Sequence, residues 1–207
     1  MIREHFQYRT TIATILADRQ EHINAAKEAM IAARTDLEAV IAIDPFFGMT
    51  YEPCSAPAGS LVAGRMAHAA KSAGVGPMAA VAGTIAWAGV EAMEEAGAQF
   101  GIVDNGGDIA LVADRPVRIG LYAGTSPLSG KLAFVLPPQD EILGICTSSA
   151  TVGPSVSFGT ADAVTVFSRD VSLADAWATS LCNTAGSADE DEIFSSQPPE
   201  EIIGVFI

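Results

Sequence analysis

The chain has 207 residues, 49% of them hydrophobic and 17% charged, and carries a formal net charge of −14 at pH 7. That length suits one domain spanning 1–207 with a substantial core. Such an acidic excess repels phosphate backbones and argues against nucleic acid as a partner. The cysteines Cys54, Cys146 and Cys182 show no Cys-x-x-Cys spacing, and they read as reduced thiols of a cytoplasmic protein.

Tyr8 to Leu16 has the β-branched content of a strand, and Asp18 to Ile43 repeats apolar residues at helical spacing. Asp44-Pro45 ends that helix, because proline disfavours helical backbone at the residue before it. Phe46 to Ala58 reads as a loop. Ser60 is placed to cap a helix from Leu61 to Ser72, and Pro77 to open another that runs to Glu95 and closes at Gly97. Val75 to Val90 is uncharged, but it is shorter than the roughly 20 residues a membrane span needs and runs into Glu91, Glu94 and Glu95. It predicts a buried helix of small residues, and no membrane partner.

Strands are expected at Phe100–Val103, Ile109–Val112, Val117–Tyr122, Lys131–Leu136, Ile142–Thr147 and Ala163–Ser168. Ser172 is the expected cap of a late helix, and a strand over Ile202–Ile207 follows. Consecutive strands through the middle of the chain argue for an α+β fold, a largely antiparallel sheet with helices packed on one face. The acidic run Asp189-Glu190-Asp191-Glu192 reads as a solvated loop. The Ala/Gly-rich helices suit packing within one chain or between copies in a homo-oligomer.

Four segments could carry chemistry. Asp175 and Thr179 are four residues apart on the late helix, so both oxygens project from one face and could hold a hard cation such as Mg²⁺. The alternative is structural: a first-turn carboxylate favouring the helix dipole, and a threonine bonding one turn back. Asn105-Gly106-Gly107-Asp108 is either a hairpin turn or a place where a ligand approaches the backbone, with Asp108 orienting a ribose or a ring nitrogen. Thr147-Ser148-Ser149 is a polar loop or a set of hydroxyls for phosphate oxygens. Gly74-Val75-Gly76-Pro77 is a tight turn or a phosphate cradle at a helix start, without the lysine of a Walker motif. His5, His22 and His68 match no metal spacing.

Taken in order, Gly76-Pro77-Met78-Ala79-Ala80-Val81-Ala82-Gly83, Asp104-Asn105-Gly106-Gly107-Asp108-Ile109, Thr147-Ser148-Ser149 through Gly153, Ser155, Ser157 and Gly159, Ala163-Val164-Thr165-Val166, and Ala174-Asp175-Ala176-Trp177-Ala178-Thr179 resemble the FAD:protein FMN transferase (ApbE-like) superfamily, in a short branch of it. The resemblance covers most of the chain and implies a T-fold-like architecture. In the transferases the matching Asp and Thr help bind Mg²⁺ on the FAD pyrophosphate, together with a backbone carbonyl, and FMN passes to a Thr or Ser of a target protein. It therefore implies Asp175 and Thr179 as metal ligands with a carbonyl near Thr147 or Ala174, a small nucleotide-like ligand such as FAD or FMN, and FMN-transfer or pyrophosphate-cleaving activity. The transferases also carry a Thr-Ser-Gly followed by a histidine-containing segment. Here Ser149 follows Thr147-Ser148, and no histidine lies beyond His68. This departure supports the alternative of a non-catalytic ligand-binding or assembly protein that keeps the fold.

Overall fold

The computed structural model describes residues 1–152, 157–185 and 198–207. Gly153 and Ser155 of the motif above and the acidic run at 189–192 lie outside them. Among these residues four α-helices, α1 (Gln20–Ile43), α2 (Leu61–Ala73), α3 (Val81–Glu95) and α4 (Val171–Thr184), accompany nine strands: β1 (Ile2–Tyr8), β2 (Thr11–Ala17), β3 (Phe100–Asn105), β4 (Asp108–Ala113), β5 (Val117–Gly120), β6 (Ala133–Leu136), β7 (Gln139–Ser148), β8 (Val164–Ser168) and β9 (Ile202–Phe206). Seven strands form one antiparallel sheet in the order β1-β2-β3-β4-β7-β8-β9, and β5 and β6 pair separately. The expected α+β fold is present.

Strand alternation divides the sheet into two faces. Ala13, Ile15, Val103, Ala110, Cys146, Val164 and Val166 face inward and join the apolar sides of the helices in the main core. Phe100, Ile102, Ile109, Leu111, Leu143 and Ile145 face outward, where Val117, Ile119 and Leu136 of the β5–β6 hairpin cover them. Helices α1, α3 and α4 lie against the inner face, and α2 packs mainly on α4.

Local chemistry explains most element ends. The Ser60 hydroxyl accepts the Ala63 N–H at 3.0 Å and caps α2 as expected. Gly74 closes α2 in the left-handed region at φ 69°, where a side chain would be strained. Pro77 starts a 3-10 turn, Pro77–Ala80, before the α-helical run begins at Val81. The expected cap at Ser172 is corrected: Asp170 is the N-cap of α4, accepting the Leu173 N–H at 2.8 Å, and Ser172 lies buried in the first turn with its hydroxyl 2.8 Å from that of Thr84.

The first strand is a further finding. The expected single strand from Tyr8 is the second arm of a hairpin, since β1 pairs with β2 through a turn at Arg9, whose φ is 55°. The inward set of β1 is Ile2, Glu4, Phe6 and Tyr8, and Glu4 interrupts its apolar period. That carboxylate is held by Lys27 and, at 2.7 Å, by Gln20, both on α1.

Helix α4 crosses β7 closely. A Cβ on Gly144 would stand 2.8 Å from the Val171 Cα, a backbone atom that cannot step aside. Gly144→Ala is expected to cost about 1–3 kcal/mol in chemical denaturation. Gly120→Ala, with nothing within 4 Å of the added methyl, should stay within about 0.5 kcal/mol of the parent.

Candidate functional site

The sequence motifs converge at one end of the sheet, around the turn between β3 and β4. Asp175 sits in the second turn of α4 and is only 6% exposed. Its Oδ2 accepts the Gly83 N–H at 2.8 Å. Gly83 is in the first turn of α3, whose N-cap, Ala80, offers no side-chain acceptor. Asp175 therefore serves α3 as a cap supplied by another helix. Gly83 has to be glycine for this approach, because a Cβ there would meet the Asp175 Cβ and the Val171 carbonyl oxygen, each at 2.9 Å.

The β3–β4 turn is fastened to the same place. The Asn105 side chain points inward and donates to the Ala82 carbonyl at 3.0 Å. Gly106 and Gly107 take φ values of 76° and 105°, which L side chains rarely adopt. The Asp104 carboxylate accepts the Gly107 N–H at 3.0 Å. Asp108 starts β4 and accepts the Thr147 N–H from β7 at 3.2 Å.

Two cavities flank this turn. One, of about 680 Å³ on the helix side, is lined by Asp108, Asp175, Thr179 and Asn183, by Gly74, Val75 and Gly76, and by Tyr51 and Phe158 at its mouth. The other, of about 450 Å³ on the outer side, is lined by Gly106, Gly107, Asp108, Thr147, Ser148 and Ser149 together with residues of β1, β2 and the β5–β6 hairpin. Asp108 borders both.

The electrostatics of the helix-side cavity are one-signed. Burial pushes the Asp175 carboxyl from its ordinary 3.8 up to about 7, against the lowering effect of the Gly83 and Ala82 N–H groups. Burial also raises Asp108 well above the ordinary range; the charge of Asp175 adds to this, and the Thr147 N–H opposes it. Beneath them the Cys146 thiol is pushed up by burial, then by the two carboxylates. No Lys, Arg or His is among the described residues lining this cavity, and Glu52 adds a third carboxylate to its wall.

The expected site residues therefore divide. Asp175, Thr179 and Asp108 share the helix-side cavity. Gly106, Gly107, Thr147, Ser148 and Ser149 line the outer one with Asp108. Asn105 borders neither cavity and is tied to α3. Some hydroxyls already have partners: Thr147 and Thr165 lie 2.9 Å apart through their Oγ1 atoms, and the Ser149 hydroxyl accepts the N–H groups of Thr151 at 3.1 Å and Val152 at 2.9 Å. Sequence reasoning missed the aromatic pair at the cavity mouth, Tyr51 and Phe158, packed edge to face with centroids 5.7 Å apart. It also missed His5 and Thr14, which line the outer cavity from the two N-terminal strands. Only the strand pairing brings these residues in.

The donor set can be tested against the implied Mg²⁺. Asp175, Asp108 and the Thr179 hydroxyl are hard oxygen donors, and Thr179 makes no hydrogen bond to the described residues that would occupy it. Among the described residues no three His, Cys, Asp or Glu side chains cluster as a metal centre. The donor chemistry fits Mg²⁺, which commonly takes one or two carboxylates and completes its shell with water and phosphate oxygens.

A family model described as AbpE bacteria matches residues 3–201. The chain belongs to that family. Among relatives of this chain, a "UPF0280 protein" of Methanosphaerula palustris is 69% identical over 183 residues, 88% of this chain and 77% of that protein. One of Methanocorpusculum labreanum is 58% identical over the whole chain and 88% of its own length. Among solved structures, the flavinyl transferase ApbE of Pseudomonas stutzeri in its apo form aligns with a TM-score of 0.66 at 12% identity, covering 97% of this chain and 89% of that one. The flavin transferase ApbE of Vibrio cholerae gives 0.62 at 14% identity, covering 99% and 92%. At these identities the likeness establishes an ApbE-like fold. No single helix among the described residues is long and apolar enough to cross a membrane.

The raised Asp175 carboxyl has a consequence for stability. Between about pH 4 and about pH 7 the folded protein keeps a proton that the unfolded chain has released, so stability falls as pH rises through that window. Without divalent cation, the loss should be on the order of a few kcal/mol. Asp175→Asn keeps an oxygen for the α3 N–H groups and cannot ionise. Thermal melts in EDTA should show a falling Tm between about pH 5 and about pH 7.5 in the parent and a flatter profile in Asp175→Asn.

Proposed function

We propose that this protein binds a flavin nucleotide, FAD or FMN, through Mg²⁺ held by Asp175 and Thr179, with Asp108 beside the phosphates and Gly106, Gly107, Thr147, Ser148 and Ser149 along the rest of the ligand. One observation carries this reading. Asp108 and Asp175, both driven toward their neutral forms by burial, face a 680 Å³ cavity with no basic side chain among its described lining residues. Two ionised carboxylates in such a place require a cation, and a phosphate can approach them only with a cation between. The fold likeness to the ApbE flavin transferases supports flavin as the ligand class.

When bound, Mg²⁺ would neutralise the pyrophosphate and polarise its oxygens. The protein's own part is to orient the phosphates, through the rigid start of α4 and the glycine turn. Asp108, which borders both cavities, is the residue we assign to take a proton from an incoming hydroxyl. FMN transfer or pyrophosphate cleavage would use that step. A second reading, a ligand-binding or assembly protein without turnover, is favoured by the lack of any histidine among the described residues of the helix-side cavity.

The test is FAD binding, measured by fluorescence quenching with Mg²⁺ and with EDTA, and FMN release measured by chromatography. FAD should bind in Mg²⁺ and weaken at least about tenfold in EDTA or in Asp175→Ala, the loss expected for a charge-assisted contact. Thr179→Val should weaken it less. Binding that ignores both Mg²⁺ and Asp175 would sink the proposal. Release of FMN selects the enzymatic reading, and binding without release selects the other.

A further inference from the structure

The outer cavity contains a polar row that the phosphate chemistry does not use. His5 on β1 pairs directly with Thr14 on β2, and Thr14 pairs directly with Asp104 on β3. Residues paired in this way project from the same face of a sheet, so the three side chains stand side by side on the outer face, and all line the 450 Å³ cavity. The row continues onto β4 and β7 as Ile109 and Ile145. Opposite these isoleucines stand Ile119, Leu121 and Phe134 from the β5–β6 hairpin and its loop. The cavity is thus a slot with an apolar sheet face on one side, an apolar hairpin on the other and three polar groups along one edge.

The hydrogen-bonding capacity of that edge is partly committed. His5 Nδ1 and Thr14 Oγ1 lie 3.2 Å apart, and one Asp104 oxygen accepts the Gly107 N–H at 3.0 Å. This leaves His5 Nε2, the remaining capacity of the Thr14 hydroxyl, and the second Asp104 oxygen, an acceptor in need of an N–H donor. An apolar slot of this kind suits a planar ring. A carboxylate with a hydroxyl and an imidazole to one side of it suits a ring edge on which an N–H lies beside a carbonyl oxygen.

We propose that His5, Thr14 and Asp104 are specificity-determining residues that read the edge of a planar heterocycle held in the outer cavity, selecting rings with an N–H beside a carbonyl group. The flavin ring system and uracil share this edge. The proposal rests on the reading that a nucleotide occupies this site, with its ring in the outer lobe and its phosphates near Asp108, which borders both lobes.

The experiment uses riboflavin and uridine, which carry no phosphate and need no cation, each beside its derivative methylated at that ring nitrogen. Binding of all four is followed in EDTA by fluorescence or calorimetry, with the full chain, His5→Ala, Thr14→Val and Asp104→Asn. The parent should prefer the unmethylated member of at least one pair by roughly 10-fold or more, the loss expected when a hydrogen bond to a charged group is denied. Asp104→Asn and Thr14→Val should each shrink that ratio several-fold, and His5→Ala should weaken the unmethylated ligand more than its methylated partner. Because each ratio is taken within one variant, a general loss of folding cannot imitate the effect. Equal binding of both members of each pair, ratios unchanged in all three variants, or no binding of any of the four would overturn the proposal. Discrimination with uridine alone would uphold the edge-reading residues and overturn flavin as the ligand. Mg²⁺-dependent FAD binding that all three substitutions leave unchanged would overturn the edge-reading residues and leave the flavin proposal standing.

Discussion

The carboxylate of Asp175, buried at the start of α3, holds the functional end of this fold together. Helix α3 begins at Val81 with no capping side chain of its own, so its free N–H groups need an acceptor from elsewhere. Asp175 of α4 supplies it, accepting the Gly83 N–H at 2.8 Å. The Thr84–Ser172 contact joins the same two helices, and the Asn105 side chain ties the β3–β4 turn to the Ala82 carbonyl. One buried acid thus joins the two helices, and Asn105 fastens the turn beside it. Its cost is a carboxyl with no basic side chain to pair with among the described residues, driven to about 7 by burial.

The proposed cation site depends on that cost. A carboxylate paired with lysine would cap α3 equally well but would have no capacity left for a cation. The turn then divides the space around it. Strand alternation sends Asn105 and Asp108 to the helix side and Asp104 to the outer side, so one short segment, Asp104 to Asp108, furnishes both lobes. The glycines between them take backbone conformations closed to other residues and keep the turn thin. A ligand crossing this turn would meet carboxylates and the Thr179 hydroxyl on one side and an apolar slot with a polar edge on the other. This is the arrangement expected for a nucleotide whose phosphates and ring need unlike surroundings.

Much of this was legible in the sequence. The helical periods of α1 and α2, the Ser60 cap, the Gly97 stop and the presence of the central strands follow from local chemistry, and local chemistry prevails where packing agrees with it. The four-residue spacing of Asp175 and Thr179 placed both on one cavity wall. What escaped detection depended on partners distant in sequence. Strand β1 was hidden because Glu4 faces inward and is satisfied by Lys27 and Gln20 of α1, which breaks the apolar alternation a reader looks for. Ser172 resembled a cap, yet Asp170, two residues earlier, takes that role, and Ser172 bonds across to Thr84. His5 carried no signal, because its meaning comes from the register that sets it beside Thr14 and Asp104.

The central claim is that Asp175, having no basic partner among the described residues, serves as a cation ligand as well as a helix cap. Manganese, a paramagnetic substitute for magnesium, allows a direct test by electron paramagnetic resonance at about pH 8, above the point where Asp175 ionises. The account predicts that the parent protein withdraws Mn²⁺ from the free signal and that Asp175→Asn, folded and still able to cap α3, does not. Equal Mn²⁺ binding by the two proteins, or none by the parent, would contradict it.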